Sequence, residues 1–435
     1  MQVIINPEKK FWKEILKRPV FDTTSLETTV RRILNDVKQN GDKAVINYTE
    51  QFDKVKLTSL KVSAEEIEMA CNNLDEALKL SIEKAKRNIE KFHLPQIQKA
   101  EVIETSQGVK CWRKSIGIEK VGFYIPGGSA PLFSTILMLA VPAKIAECKE
   151  LVLCTPPQKD GSIHPAILFT AHLVGITQIY KVGGVQAIGA MAYGTETIPQ
   201  VYKIFGPGNQ YVTCAKQLVS NEGVAIDMPA GPSEVAILAD NSCIPKFVAA
   251  DLLSQAEHGP DSQVLLVALN EEIVASVKEE LENQLAILPR KEIAKKALEN
   301  SKTIVINDYI VAMELLNEYA PEHLILACEH TDILMDKIIN AGSVFIGNYA
   351  TESLGDYASG TNHTLPTNGY ARMYSGVSVD SFVKKITFQQ VDTNGIKLLG
   401  NVVEIMADAE GLHAHKNSVS VRLDYIKNNR LNIEE

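Results

Sequence analysis

Between residues 118 and 346, short runs of branched apolar residues alternate twice over with stretches of helical periodicity. The first series reads VGFYI, LVLC, TQIYKVG and VYKIFG, with STILMLAVPAKIAEC, HPAILFTAHLV and VQAIGAMAYG between them. The second reads EVAILAD, QVLLVAL, TIVIND, HLILA and SVFIG, again separated by helical patterns such as IPKFVAADLLSQAEH. Runs that are apolar at nearly every position belong to strands buried on both faces, as in a parallel sheet with helical crossovers. Two series predict two α/β units, and 435 residues exceed what one core holds. The first hundred residues read as helical, with Ser63 and Glu66 at capping-box spacing before an amphipathic stretch that stops near Pro95. After about residue 378 the pattern reads as helical again, in a region with too little core to stand alone.

Charge and cysteine usage exclude several functions. Lys and Arg total 44 against 53 for Asp and Glu, a net charge of -9 without a basic block, so a nucleic-acid partner is not expected. Seven scattered cysteines without a CxxC pair fit neither a disulfide framework nor a thiolate zinc finger. The N-terminal MQVIINPEKKFWKEIL has no apolar signal core and no segment reaches membrane-span length, which predicts a soluble, cytoplasmic protein.

Three loops that follow predicted strands are rich in glycine: YIPGGSAPLFST at 124–135, GGVQAIG at 183–189 and FGPGNQY at 205–211. The last has the first two glycines of a dinucleotide-binding turn, but Tyr211 stands where the third belongs. Each loop is equally an ordinary strand-to-helix turn. Together, at the carboxyl ends of strands in one unit, they point to a shared ligand crevice.

Six of the nine histidines fall between 258 and 415. Gln255 and His258 are three apart on a predicted helix end and share a face. Asp356 and His363 lie in the loop LGDYASGTNHTLPT, and His413 and His415 in EGLHAHKN, where at most one of the two reaches a given metal from a helix. Imidazole and carboxylate ligands without thiolate suit zinc or manganese. In APEHLIL, Glu322 and His323 stand together at the mouth of a predicted strand, where acid-base groups are at home. The residues alone thus reach an α/β enzyme with candidate metal and nucleotide sites.

In order along the chain, GFYIPGGSAPLFSTILMLAVPA, GPGNQYV, IDMPAGPSEV, LLSQAEHGPDSQ, APEHLI, GDYASGTNHTLPT and EGLHAHKNSV resemble the histidinol dehydrogenase family, over residues 20 to 425 or so. The resemblance implies two incomplete Rossmann-like parallel-sheet domains with helical N-terminal and C-terminal extensions. Residues 1–21 would form the N-terminal extension, 22–123 with 233–377 the catalytic, zinc-bearing α/β domain, 124–232 the NAD-binding α/β domain, and 378–435 a C-terminal extension packing on a partner subunit. It implies one zinc ion per subunit on Gln255, His258, Asp356 and His415, the last from the partner in a homodimer with shared active sites. It implies NAD contacts from Tyr124, Gln186 and Asn209, and acid-base catalysis by Glu322 and His323. Its implied substrate contacts are Ser233, Gln255, His258, His323, Asp356, His363, Glu410 and His415. The implied reaction is the oxidation of L-histidinol through L-histidinaldehyde to L-histidine with two NAD, the last step of histidine biosynthesis. Two other readings stay open: a zinc-dependent hydrolase, and a dehydrogenase of this fold acting on another amino alcohol. NAD reduction separates the first of these from the rest.

Overall fold

The strands of the second series, Glu234–Ala239 (β9), Gln263–Ala268 (β10) and His323–Ala327 (β12), are buried at every residue. Strands of this kind pair on both edges and take cover on both faces, which explains their nearly unbroken apolar sequences. In the computed structural model, which describes residues 1–18, 24–127, 131–229 and 231–431, they join Lys302–Val305 (β11) and Ser343–Ile346 (β13) in a parallel sheet. A sixth strand, Gln2–Ile5 (β1), pairs in parallel with β11 at the edge, giving the order β1-β11-β10-β9-β12-β13. The N-terminal segment expected as a helical extension thus begins as a strand, before helix α1 at Lys9–Ile15. Three of its four residues are β-branched, but the run is short, and pairing with β11 at the sheet edge completes it as a strand.

The first series forms a parallel sheet of five strands, Lys120–Tyr124 (β4), Glu150–Thr155 (β5), Gln178–Lys181 (β6), Lys203–Phe205 (β7) and Ala225–Ile226 (β8), in the order β6-β5-β4-β7-β8. In both sheets the first strand of the series is central, the next two lie to one side and the last two to the other. That is the doubly wound order without its sixth strand. The α/β class with two Rossmann-like parallel sheets is therefore observed.

Helices α5 (Phe133–Ile145), α6 (Pro165–Leu173), α7 (Gly184–Tyr193) and α8 (Gln210–Ser220) accompany the five-stranded sheet, while α9 (Pro245–Ala256), α10 (Glu271–Ile287), α11 (Lys291–Glu299), α12 (Tyr309–Tyr319), α13 (Thr331–Met335) and α14 (Glu352–Tyr357) accompany the six-stranded one. The long helices α2 (Thr24–Asp53), α3 (Ala64–Asn73) and α4 (Glu76–His93) precede both parallel sheets in the chain. They pack on α7, α6 and α5 respectively. Val30, Ile33, Leu34 and Val37 of α2 share a core with Val185, Ile188 and Met191 of α7, so apolar burial assigns α2 to the five-stranded sheet. The Ser63–Glu66 capping box forms as expected at the start of α3.

These elements make up one compact unit, Met1–Gln96 with Ile118–Phe382. The second unit, Ile97–Gly117 with Val383–Glu435, consists of an antiparallel sheet of Val102–Ser106 (β2), Val109–Gly117 (β3) and Val383–Val391 (β14) in the order β14-β3-β2, with helices α15 (Thr393–Ala409) and α16 (His413–Leu431). Trp112 stacks on Phe388 across the β3–β14 pair at 5.4 Å, and Gly400 lets α15 approach Leu423 of α16. The region after 378, read as helical, thus contains a nine-residue strand, preceded only by a single 3-10 turn at Val379–Phe382. Its partner lies more than 260 residues earlier in the sequence, beyond the reach of any local pattern.

The turn FGPGN between β7 and α8 is held at both polar groups of Gly206. Its N–H donates to Asp227 Oδ2 at 2.8 Å and its carbonyl accepts from Lys216 Nζ at 2.8 Å, while Lys216 and Asp227, both buried, pair with each other. Gly206 has φ +125, and a Cβ there would stand 2.0 Å from the Tyr124 carbonyl oxygen. Gly206→Ala is expected to destabilise the protein by about 2–4 kcal/mol, from backbone strain plus the displaced Tyr124 carbonyl, as measured by urea unfolding.

Candidate active site

Helix α12 stops at Tyr319 because Ala320 turns left-handed (φ 52) and Pro321 cannot continue the helix. The chain then enters β12, and Glu322 and His323 are delivered together at the amino end of the sheet. Both are buried. Both also bind the backbone of one residue on the neighbouring strand: Glu322 Oε2 accepts from the Glu234 N–H at 2.8 Å, and His323 Nδ1 lies 3.1 Å from the Glu234 carbonyl oxygen. The carbonyl can only accept, so a proton sits on Nδ1, and Nε2 is the proton acceptor whenever the ring is neutral. Nε2 is buried without a hydrogen-bond partner, 3.6 Å from Asp356 Oδ1.

Carboxylates crowd this imidazole. Glu322 Oε2 is 3.7 Å and Glu352 Oε2 4.0 Å from Nδ1. Burial alone would lower the His323 pKa, but Glu322, Asp356 and Glu352 outweigh it and move it upward. Burial pushes the Glu322 carboxyl up to about 7, against the opposing pull of His323 and the Glu234 N–H. Asp356 stays below its usual range: burial opposes ionisation there, but the nearby His323 imidazole, with His363 and His258 behind, prevails.

The Gln255 carboxamide, oriented to satisfy both its ends, donates to Glu352 Oε1 at 3.1 Å and accepts from the Glu234 N–H at 2.9 Å. Ser254 also donates to Glu352, at 2.5 Å. Ser233 directly precedes Glu234, and its carbonyl accepts from the Gln263 N–H. His363 Nδ1 is 2.8 Å from the Asp356 carbonyl oxygen and its Nε2 3.1 Å from Thr135 Oγ1, at the start of α5. His258 is exposed, and Asp356 feels its charge. Glu410 and His415 belong to the second unit, at the end of α15 and in the first turn of α16, and both are exposed.

The other feature is a cavity of about 860 Å³ at the carboxyl ends of β4 to β7. Tyr124, Gln186 and Asn209 all line it. Tyr124 is buried, its hydroxyl accepts from the Gly184 N–H at 3.2 Å, and burial pushes its pKa up to about 12. Asn209 caps α8, accepting from the N–H groups of Tyr211 and Val212. Asp53 Oδ2, Thr155 Oγ1 and Gln186 Oε1 are buried without hydrogen-bond partners, and all three residues line the cavity. Buried polar atoms are nearly always paired, so three orphans around one cavity mark a place built for a polar ligand. The glycine loops after β4, β6 and β7 border it as expected; residues 128–130 of the first lie outside the described residues.

As to a metal, no three His, Cys, Asp or Glu side chains among the described residues are grouped to hold an ion. Gln255, His258 and Asp356 contribute only two residues of those types, so a cation there requires an amide oxygen and a further donor. Their nitrogen and oxygen donors, with the orphaned His323 Nε2 beside Asp356, nonetheless suit zinc chemically.

Sequence reading missed Arg18, Glu234 and Glu352. Glu352 had a signal, since it stands one helical turn before Asp356. Glu234 had one too, a lone charge opening an otherwise apolar strand. Arg18 had none.

A doubly wound α/β fold, with a cofactor-sized cavity at one sheet and a buried carboxylate–imidazole pair at the other, defines an oxidoreductase of the α/β class. The family profile described as histidinol dehydrogenase matches residues 16–423. Histidinol dehydrogenase of Bacteroides thetaiotaomicron is 61% identical over 427 residues, covering 98% of this chain and all of that protein. The chloroplastic histidinol dehydrogenase of Arabidopsis thaliana is 52% identical over 417 residues, covering 95% of this chain and 89% of that one. The crystal structure of histidinol dehydrogenase from Elizabethkingia anophelis superposes with a TM-score of 0.96 at 57% identity, covering 98% of this chain and 99% of that one. The chain belongs to the histidinol dehydrogenase family, as its motifs indicated.

Arg18 grips Glu234 with Nε at 2.5 Å from Oε1 and Nη2 at 2.8 Å from Oε2, both side chains being largely buried. Removing one partner of a buried pair strands the other charge. Arg18→Met is therefore expected to destabilise the protein by about 3–5 kcal/mol in urea unfolding, while the double variant Arg18→Met with Glu234→Gln recovers much of that loss.

Proposed function

We propose that this protein oxidises L-histidinol through L-histidinaldehyde to L-histidine, reducing two NAD, as the last step of histidine biosynthesis. The observation that carries the reading is His323, fixed by Glu234 in the tautomer whose orphaned Nε2 accepts a proton, next to a carboxyl raised toward neutrality. In the first half-reaction His323 Nε2 takes the hydroxyl proton as hydride leaves the carbinol carbon for NAD. In the second, ionised Glu322 draws a proton from the water that adds to the aldehyde, and the hydrate gives its hydride to a second NAD as His323, deprotonated again, takes its hydroxyl proton. Tyr124, Gln186 and Asn209 hold NAD in the cavity they line, while Ser233, His363 and Glu410 join the metal-binding residues around the substrate. Thr135 and His363 span the two regions, consistent with hydride passing from one to the other.

Gln255, His258, Asp356 and His415 of the partner subunit would hold one zinc ion, which would help to orient the substrate and supply Lewis acidity when bound. The homodimer this requires has support in the second unit, where Leu398, Val402, Ile405 and Met406 of α15 are exposed. Such a patch suits burial against another copy. Among the described residues no helix is long and apolar enough to cross a membrane, and the protein would work in the cytoplasm on a small molecule.

Complete turnover should yield two NADH per L-histidinol, abolished by chelation and restored by zinc. Glu322→Gln is expected to stop at one NADH with accumulating aldehyde, and His323→Asn to slow both halves about 10²–10⁴-fold. A single NADH from the unaltered enzyme would refute the four-electron reading.

The raised Glu322 carboxyl also sets a pH dependence. A base is lost on protonation, so aldehyde oxidation should fall as pH drops through about 7, and Glu322→Gln should flatten that limb. Rates of the second half-reaction across pH 5.5 to 8.5 or so, started from the aldehyde, check this.

A further inference from the structure

We propose that Asp53 binds the vicinal diol of the adenosine ribose and selects NAD over NADP. The inference rests on the reading that the cavity takes NAD, and it identifies a residue that the glycine loops do not supply. In doubly wound dinucleotide sites the carboxylate for the ribose hydroxyls follows the second strand. Here the second strand is β5, and it runs into Thr155-Pro156-Pro157-Gln158 without an acidic residue. The cavity nonetheless has a carboxylate. Asp53 is the one acidic side chain among its described lining residues, and it arrives from another direction, as the last residue of α2.

Three features suit this carboxylate to a diol. Its Oδ2 is buried with no donor to meet it, a costly state that ribose hydroxyls relieve with charge-assisted hydrogen bonds. The other two orphaned atoms of the cavity, Thr155 Oγ1 and Gln186 Oε1, are likewise suited to a hydroxyl-rich ligand. Beside Asp53, the half-exposed ring of Phe52, stacked on Tyr48, offers an apolar face to a purine. A phosphate on the 2′ oxygen would instead bring negative charge against the carboxylate, so the device discriminates by repulsion as well as attraction.

The test is calorimetric titration of the zinc-loaded dimer with NAD, NADP, and NAD lacking the 2′ or the 3′ hydroxyl of the adenosine ribose. Asp53→Asn should weaken NAD binding about tenfold or more and reduce the preference over NADP by a similar factor. Removing either adenosine ribose hydroxyl from NAD should weaken binding to the unaltered protein, and that loss should shrink in Asp53→Asn, as coupled partners require. An unchanged NAD-to-NADP ratio in Asp53→Asn overturns the proposal. So does full affinity of the unaltered protein for both deoxy analogues, which decides the matter even where the variant does not fold. Failure of the NAD reading looks different: the unaltered protein binds neither dinucleotide, or Gln186→Ala and Asn209→Ala leave NAD affinity intact.

Discussion

The geometry of the candidate active site depends on Glu234. Strand β12 pairs with β9 from Val235 onward, and on this side the backbone groups of Glu234 serve side chains: the N–H goes to Glu322 and the carbonyl to His323. One residue thereby sets the distance between the two acid-base groups and the tautomer of one of them. Its own side chain is fixed by Arg18 and by the Asn368 N–H at 2.9 Å. Arg18 also donates to the Tyr319 carbonyl at 2.7 Å and lies over the Tyr319 ring at 4.1 Å. Tyr319 is the last residue of α12, three positions before Glu322. The guanidinium thus ties the start of β9 to the turn that delivers Glu322 and His323. A shift of either strand would break a buried ion pair, which is why the pair can be held to the tolerance that proton transfer needs.

The two sheets share one strand order but use opposite ends of it. In the five-stranded sheet the cavity opens at the carboxyl ends beside β4 and β7, where the strand order reverses, as the doubly wound rule expects. In the six-stranded sheet the equivalent position, beyond β9 and β12, is closed by Asp240. Its Oδ2 accepts from Tyr309 at 2.6 Å and the Glu329 N–H at 2.8 Å, and its Oδ1 from both donors of Ser242. The polar cluster stands instead at the amino ends. Thr135, after β4, meets His363 from the other side. An arrangement of this kind needs one sheet's carboxyl edge and the other's amino edge to supply a single reaction, which two sheets following the rule alike would not provide.

What the sequence made legible was local. All-apolar runs marked buried strands because burial on both faces leaves no choice of residue, and Glu322 with His323 was visible because one turn carries both. Asp356 was visible beside His363 in a glycine-rich loop, whereas Glu352, one helical turn before it, lies outside that loop and shares its face only once the helix forms. β1 and β14 escaped because their strand character comes from partners hundreds of residues away. Arg18 looked like any surface cation: nothing within its neighbourhood of the chain reveals that its partner is Glu234. Asp53 shows the same limit, since a carboxylate ending a helix is common, and only the fold puts it in a cavity wall.

Charge balance explains why the cluster is arranged as it is. Glu322, Glu352 and Asp356 surround a single buried imidazole, and three carboxylates cannot all ionise there. The environment separates them. Asp356, facing three histidines, keeps its charge, whereas burial moves Glu352 up to about 8 and Glu322 up to about 7. Groups of one chemical type pushed apart in this way can take different roles at one pH. In the chain alone, His323 carries the compensating positive charge, which would spoil it as a base. With a divalent cation on Asp356 and His258, as the proposed function requires, that duty would pass to the metal, and the imidazole would return toward the neutral form that accepts a proton. The excess of carboxylates is thus the reason a base and a metal would be needed in the same few ångströms, each making the other's charge state possible.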